Sequence, residues 1–212
     1  MKVLVLSPHP DDESIGCGGT LRKHVVEGAD IKVVFLTSGE QGGHGFTADE
    51  ARRTRELEAQ QATEILGITD IEYWREKDGL LRVSRRLTEK LVKTIQNYRP
   101  DLIFVPNESE SHSDHRATFR LLQSVRRKFM IEARILKYEI WTPLKVMDEI
   151  VDITPYMDSK VAAVQAYKSQ CNVLRFDEAM LGLARYRGEL FCWPKIEEGG
   201  GRYAEVFQVH AL

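Results

Sequence analysis

Two short clusters of ionisable residues carry most of the chemistry in this sequence. Pro8-His9-Pro10-Asp11-Asp12-Glu13 packs one imidazole and three carboxylates into five consecutive positions, between and just after two prolines. Such groups repel one another and cost stability, unless a bound divalent ion reverses the sign of the local field. The plainer alternative is a solvated loop in which one aspartate caps the helix that follows. His112-Ser113-Asp114-His115 adds two imidazoles three residues apart. They face the same way if His115 opens a helix, whose amino end Asp114 can cap. Nitrogen and oxygen donors without a thiolate suit Zn2+, with Fe2+ or Co2+ as substitutes, better than calcium or magnesium. Three protein ligands leave a fourth position for water, whose pKa falls to about 7 on zinc, and that is the pattern of a catalytic rather than a structural site.

The two clusters act together only if the fold brings them to one place. Val3-Leu4-Val5-Leu6 is an unbroken apolar run of the kind buried on both faces of a parallel sheet. Gly16, Gly18 and Gly19 read as the end of a loop from 7 to 20, before a helix from Thr20 to Val26 that Gly28 stops. Ile31 to Thr37 is a second strand, followed by a glycine-rich loop from Ser38 to Gly45. Thr47-Ala48-Asp49-Glu50 is a capping box that opens a helix from Ala48 to Leu66, with Gly67 as its left-handed cap. The alternation continues with a strand at Ile71–Trp74, a helix from Ser84 to Tyr98 and a strand at Leu102–Val105 that Pro106 stops. Strands at 135–142, 149–153 and 203–209, helices at 158–170 and 177–187, and a loop at 197–201 complete the reading. Four β-α units imply a doubly wound α/β layout, and right-handed crossovers then gather residues 7–20, 38–46, 75–82 and 106–116 on one edge of the sheet.

Composition narrows the function classes. The 212 residues carry 30 Lys plus Arg against 32 Asp plus Glu, a formal charge of −2, which offers no net pull toward nucleic acid or anionic lipid. No apolar run approaches the roughly 20 residues needed to span a bilayer, and the amino terminus lacks signal-peptide layout, so a cytoplasmic protein is expected. Three cysteines, Cys17, Cys171 and Cys192, form no metal-knuckle spacing and suit a reducing compartment. One domain over residues 1–212 is the default for this length. A nucleotide-binding α/β protein is the competing class, suggested by the glycines after the first strand. Their spacing is not the regular Gly-x-Gly-x-x-Gly, and an acidic rim repels pyrophosphate.

With both motifs in view, the sequence resembles the PIG-L (LmbE-like) deacetylase family. Thr37-Ser38-Gly39-Glu40, Arg55-Glu56-Leu57-Glu58-Ala59 with Leu66-Gly67, Asp78-Gly79 and Arg202-Tyr203-Ala204-Glu205 extend the resemblance over nearly the whole chain. It implies a Rossmann-like three-layer α/β/α fold with a mostly parallel sheet and the active site at the C-terminal edge of the strands. It also implies zinc on His9, Asp12 and His115, with Asp11 as general base and a protonated His112 stabilising the oxyanion. Asp114 is then expected to orient His112 or His115, or simply to cap its helix, and Arg55 and Asp78 to grip sugar hydroxyls. The implied substrate is a small N-acetylglucosaminyl conjugate, such as a precursor of bacillithiol or mycothiol. Cleavage of a thiol-sugar conjugate by an amidase of the same family is the nearest alternative. Soluble members of the family are often homo-oligomers, which sets that expectation here.

Overall fold

The computed structural model describes residues 1–192 and 201–210. The loop expected at 197–201 therefore lies, except for Gly201, outside the described residues. Seven strands form one sheet in the order β3-β2-β1-β4-β5-β7-β6: β1 (Lys2–Ser7), β2 (Asp30–Thr37), β3 (Asp70–Glu76), β4 (Leu102–Pro106), β5 (Arg134–Tyr138), β6 (Glu149–Asp152) and β7 (Ala204–Val209). The pairs β1–β2, β1–β4, β2–β3 and β4–β5 are parallel, and β7 runs antiparallel to both neighbours. This is the expected mostly parallel α/β sheet.

Alternate residues of β1 explain why both faces are covered. Val3 and Val5 pack into one core with Phe35, Leu66, Phe104 and Tyr138, whereas Leu4 and Leu6 enter a second core with Leu36, Leu91, Ile103 and Leu122. The first core is closed by α1 (Asp12–Val26), α2 (Ala48–Leu66) and α5 (Met157–Ala166), the second by α3 (Arg85–Tyr98) and α4 (Ser113–Arg126). Helix α2 carries the expected capping box and ends at Gly67 with φ 83°. The expected helix 158–170 is broken at Tyr167 into α5 and the short α6 (Lys168–Cys171), while α7 runs from Phe176 to Phe191. Among the described residues no helix is long and apolar enough to cross a membrane.

The largest departure from the sequence reading is the start of α1. The expected loop to residue 20 is mostly helix, which begins at Asp12 directly after the acidic cluster. The three glycines are interior helix positions, and Gly16 and Gly19 are kept small by contact. A Cβ on Gly16 would collide with the Tyr138 ring, and one on Gly19 would lie 2.8 Å from Ile153. They let α1 sit close to β5 and to the segment after β6, which fixes the first turn of α1 at the sheet edge.

Candidate metal centre and active site

The sheet order reverses between β1 and β4, so the loops that follow these two strands part company there and leave a crevice, the usual ligand position in such folds. His9, Asp11 and Asp12 come from the end of β1, and His112 and His115 from the start of α4. His9 Nδ1, Asp12 Oδ2 and His115 Nε2 lie within 3.0, 3.2 and 3.3 Å of one another. Donor atoms around a tetrahedral zinc with bonds of about 2.0 Å are separated by about 3.3 Å, so this trio has the spacing of three ligands to one ion.

The far nitrogen of each imidazole faces carboxylate. His115 Nδ1 lies 3.3 Å from Glu110 Oε2, and His9 Nε2 lies 3.1 Å from Asp78 Oδ1 and 3.4 Å from Asp114 Oδ2. A carboxylate behind a histidine holds its proton on that side and leaves the other nitrogen free to bind a cation. His9, Asp78 and Asp114 also form a compact set of possible ligands, as do the three histidines. His9 thus has candidate partners on both sides, Asp12 and His115 at Nδ1 and Asp78 and Asp114 at Nε2, the latter close by but not hydrogen-bonded to the ring.

Electrostatics favour a cation in this pocket. Burial alone would raise Asp12, but His115 and His9 hold its carboxyl far below the usual range. Burial would likewise depress His9 and His115, but Asp114 and Asp12 hold His9 well above the ordinary value, and Asp12 with Glu110 lifts His115 to about 9. The site thus clings to positive charge.

Asp11 Oδ2 accepts from Arg55 Nη2 at 2.9 Å. Its φ is 121° with ψ −32°, a conformation that ordinary residues avoid. The same guanidinium donates to the carbonyls of Pro10 at 2.5 Å and Gly39 at 2.9 Å, and the Asp11 N–H donates to Glu13 Oε2 at 3.2 Å. Tyr167 Oη donates to the other Glu13 oxygen at 2.6 Å. Burial pushes Asp11 up to about 7, against the opposing pull of Arg55.

Two expectations need correction. Asp114 orients neither His112 nor His115, and its side chain does not cap α4: its carboxylate accepts from Gly79 N–H at 2.7 Å and Leu81 N–H at 3.2 Å and so ties the loop after β3 to α4. The cap is His112 itself, whose Nδ1 accepts the Asp114 N–H at 3.2 Å. A ring accepting at Nδ1 carries its proton on Nε2, and burial together with His9 and His115 lowers its pKa. His112 is therefore a neutral donor rather than the expected imidazolium.

Arg55 and Asp78 both line the cleft, with Gln41, His44 and Gln170. Arg55 is buried, not on a solvated helix face, and among the described residues its Nε has no protein partner. Asp78 Oδ2 accepts from Gln41 N–H at 2.9 Å. Glu110 went unnoticed in the sequence, although an acidic residue two places before His112 was the available signal. It is buried, and it also accepts the N–H groups of Ile140, Trp141 and Thr142.

Fold and site together define an α/β protein with a metal-type centre at the carboxyl edge of a parallel sheet. The chain belongs to the PIG-L family, whose sequence pattern, described as GlcNAc-PI de-N-acetylase, matches residues 4–125. It is 30% identical over 224 residues to diacetylchitobiose deacetylase of Thermococcus kodakarensis, covering 96% of this chain and 81% of that protein. It is 30% identical over 186 residues to a probable N-acetyl-alpha-D-glucosaminyl L-malate deacetylase 2 of Bacillus anthracis, covering 79% and 80%. The crystal structure of GalB, the 4-carboxy-2-hydroxymuconate hydratase of Pseudomonas putida, superposes with a TM-score of 0.85 at 24% identity, covering 100% of this chain and 96% of GalB, a likeness of fold alone.

Proposed function

We propose that this chain, acting as one domain over residues 1–212, is a zinc-dependent hydrolase that removes an N-acyl group, acetyl in the simplest case, from an N-acetylglucosaminyl conjugate. A low-molecular-weight thiol precursor is the conjugate we favour. The observation that carries the reading is the trio His9 Nδ1, Asp12 Oδ2 and His115 Nε2 at 3.0–3.3 Å, with Asp11 next to it in the chain. The relatives from Thermococcus kodakarensis and Bacillus anthracis, named for deacetylation of acetylated glucosamine compounds, support the substrate class.

His9, Asp12 and His115 would hold the ion, and their donor set fits zinc, or Fe2+ or Co2+ in its place. When bound, the ion supplies Lewis acidity and a water of lowered pKa. Asp11 takes a proton from the attacking water as the carbon–oxygen bond forms. His112 keeps its Nε2 proton and donates a hydrogen bond from that N–H to the amide oxygen as negative charge develops there, a contribution of about 3 kcal/mol for a single donor of this kind. As the carbon–nitrogen bond breaks, Asp11 passes its proton to the departing amine, giving a carboxylic acid and a free amino sugar. Arg55 and Asp78 face the sugar from the polar wall of the cleft.

A nucleotide-binding role fits poorly, since α1 opens with Asp11, Asp12 and Glu13 where a phosphate site needs unopposed N–H groups. The test is release of acetate and free amine from N-acetylglucosamine conjugates by zinc-loaded protein, with metal content measured alongside. Absence of turnover on every sugar amide at one zinc per chain would remove the proposal.

A further inference from the structure

Beside the metal cleft lies a second cavity of about 310 Å³, walled mainly by apolar side chains. The two share Ile15, Ile140, Trp141 and Phe176 as wall residues. Ile15 stands one helical turn beyond Asp11 and Asp12 on α1, and Trp141 meets Phe176 edge to face at 5.4 Å. Phe176, Met180 and Ala184 follow one another at i,i+4 spacing on α7 and present one apolar stripe to the cavity. The charged residues in its wall are already matched. Lys160 pairs with Glu205 and donates to the Ile15 carbonyl at 2.6 Å, and Glu139 takes Arg187 at 2.7 and 3.1 Å. No charge is left over for an ionic ligand, which points to an uncharged hydrocarbon occupant.

The topology says which end of the substrate that occupant belongs to. Gln41, His44 and Asp78 stand over β2 and β3, on one side of β1, whereas Ile140 and Trp141 stand beyond β5, on the other. The metal-type centre lies between them, at the ends of β1 and β4. An amide lying across that centre sends its two substituents opposite ways, the sugar toward the polar wall and the acyl group toward the apolar one. We propose that the second cavity receives the alkyl chain of the substrate's acyl group, and that the amide cleaved carries a chain of about eight carbons or more, since an apolar cavity of about 150 Å³ holds a six-carbon benzene and this one is about twice that size. This rests on the hydrolase reading above and extends its substrate class.

Two measurements test it. Calorimetric titration of the metal-free protein with octanamide and acetamide reads the cavity directly. Each buried methylene favours binding about fourfold, so octanamide should bind at least 100-fold more tightly. Ala184→Phe, which fills the cavity, and Ala179→Trp, at an exposed position of its wall, should each bring that ratio below about tenfold. Equal binding of the two amides by the unaltered protein overturns the proposal. The kinetic arm compares N-octanoylglucosamine, N-acetylglucosamine and octyl N-acetylglucosaminide on zinc-loaded protein. A kcat/KM at least 100-fold higher for the octanoyl amide, collapsing in both variants, is the expected result. Turnover of the acetyl amide without chain dependence overturns the inference and leaves the hydrolase standing. A gain confined to the octyl glycoside assigns the chain to the opposite end and overturns it too. Cleavage of none of the three removes the hydrolase reading itself.

Discussion

Asp11 stands in a backbone conformation that costs on the order of 1–3 kcal/mol, held by Arg55 on one side and Glu13 on the other. Asparagine also tolerates positive φ, so Asp11→Asn removes the base with little change in fold. It should keep one zinc per chain and lose 10²–10⁴-fold in kcat, checked by metal analysis beside turnover. Full activity in that variant would exclude Asp11 as base. The guanidinium of Arg55 favours the ionised form of Asp11, so its loss raises the carboxyl pKa. In Arg55→Gln the acid limb of the kcat/KM profile should therefore move to higher pH; an unmoved limb would show that the two groups are not coupled. Glu110→Gln removes the anion behind His115, and zinc affinity measured by competition with a chelator should fall roughly 10–100-fold. The histidines and aspartates of the centre were legible because their types cluster within a few positions. Glu110 was not, because its value lies in contacts to residues 140–142, which adjacency in sequence does not reveal.

Helix α1 shows how one composition signal supports two structures. Glycines at 16, 18 and 19 read as a loop by propensity, yet all three lie in helix, where Gly16 and Gly19 pack closely against Tyr138 and Ile153. Gly16→Ala sets the two effects against each other. Alanine improves an exposed helix interior by roughly 1 kcal/mol, whereas overpacking a filled core costs typically 1–3 kcal/mol. Since the added methyl would meet the Tyr138 ring, packing should win, and the variant's urea midpoint should fall. A rise would mean the ring moves aside freely. Elsewhere local signals agreed with the fold: the Thr47–Glu50 capping box and Gly67 bracket α2 as read, and Ser84 caps α3 through the Leu87 N–H. The break of the 158–170 helix at Tyr167 was illegible, because Tyr167 leaves the helix with ψ 62° while its hydroxyl serves Glu13, a partner 154 residues away.

At the scale of the molecule, the buried pair Lys160–Glu205 joins α5 and β7 to the middle of α1. Glu205 also accepts the N–H groups of Gly19 at 3.0 Å and Thr20 at 2.7 Å. Removing one partner strands the other charge in the interior, so Lys160→Met should cost about 3–5 kcal/mol in chemical denaturation. Adding Glu205→Gln neutralises the stranded charge and keeps an acceptor for one of the two N–H groups. The double variant should accordingly be more stable than Lys160→Met alone, and simple additivity of the two losses would contradict this account. The family pattern ends at residue 125, after the last residue of the metal-type centre, whereas most of the apolar cavity wall comes from residues 139–206. On the proposal above, bond cleavage and recognition of the acyl chain occupy successive stretches of one polypeptide. Descent can therefore reshape the later stretch to suit a new acyl donor while the earlier one goes on breaking the same bond.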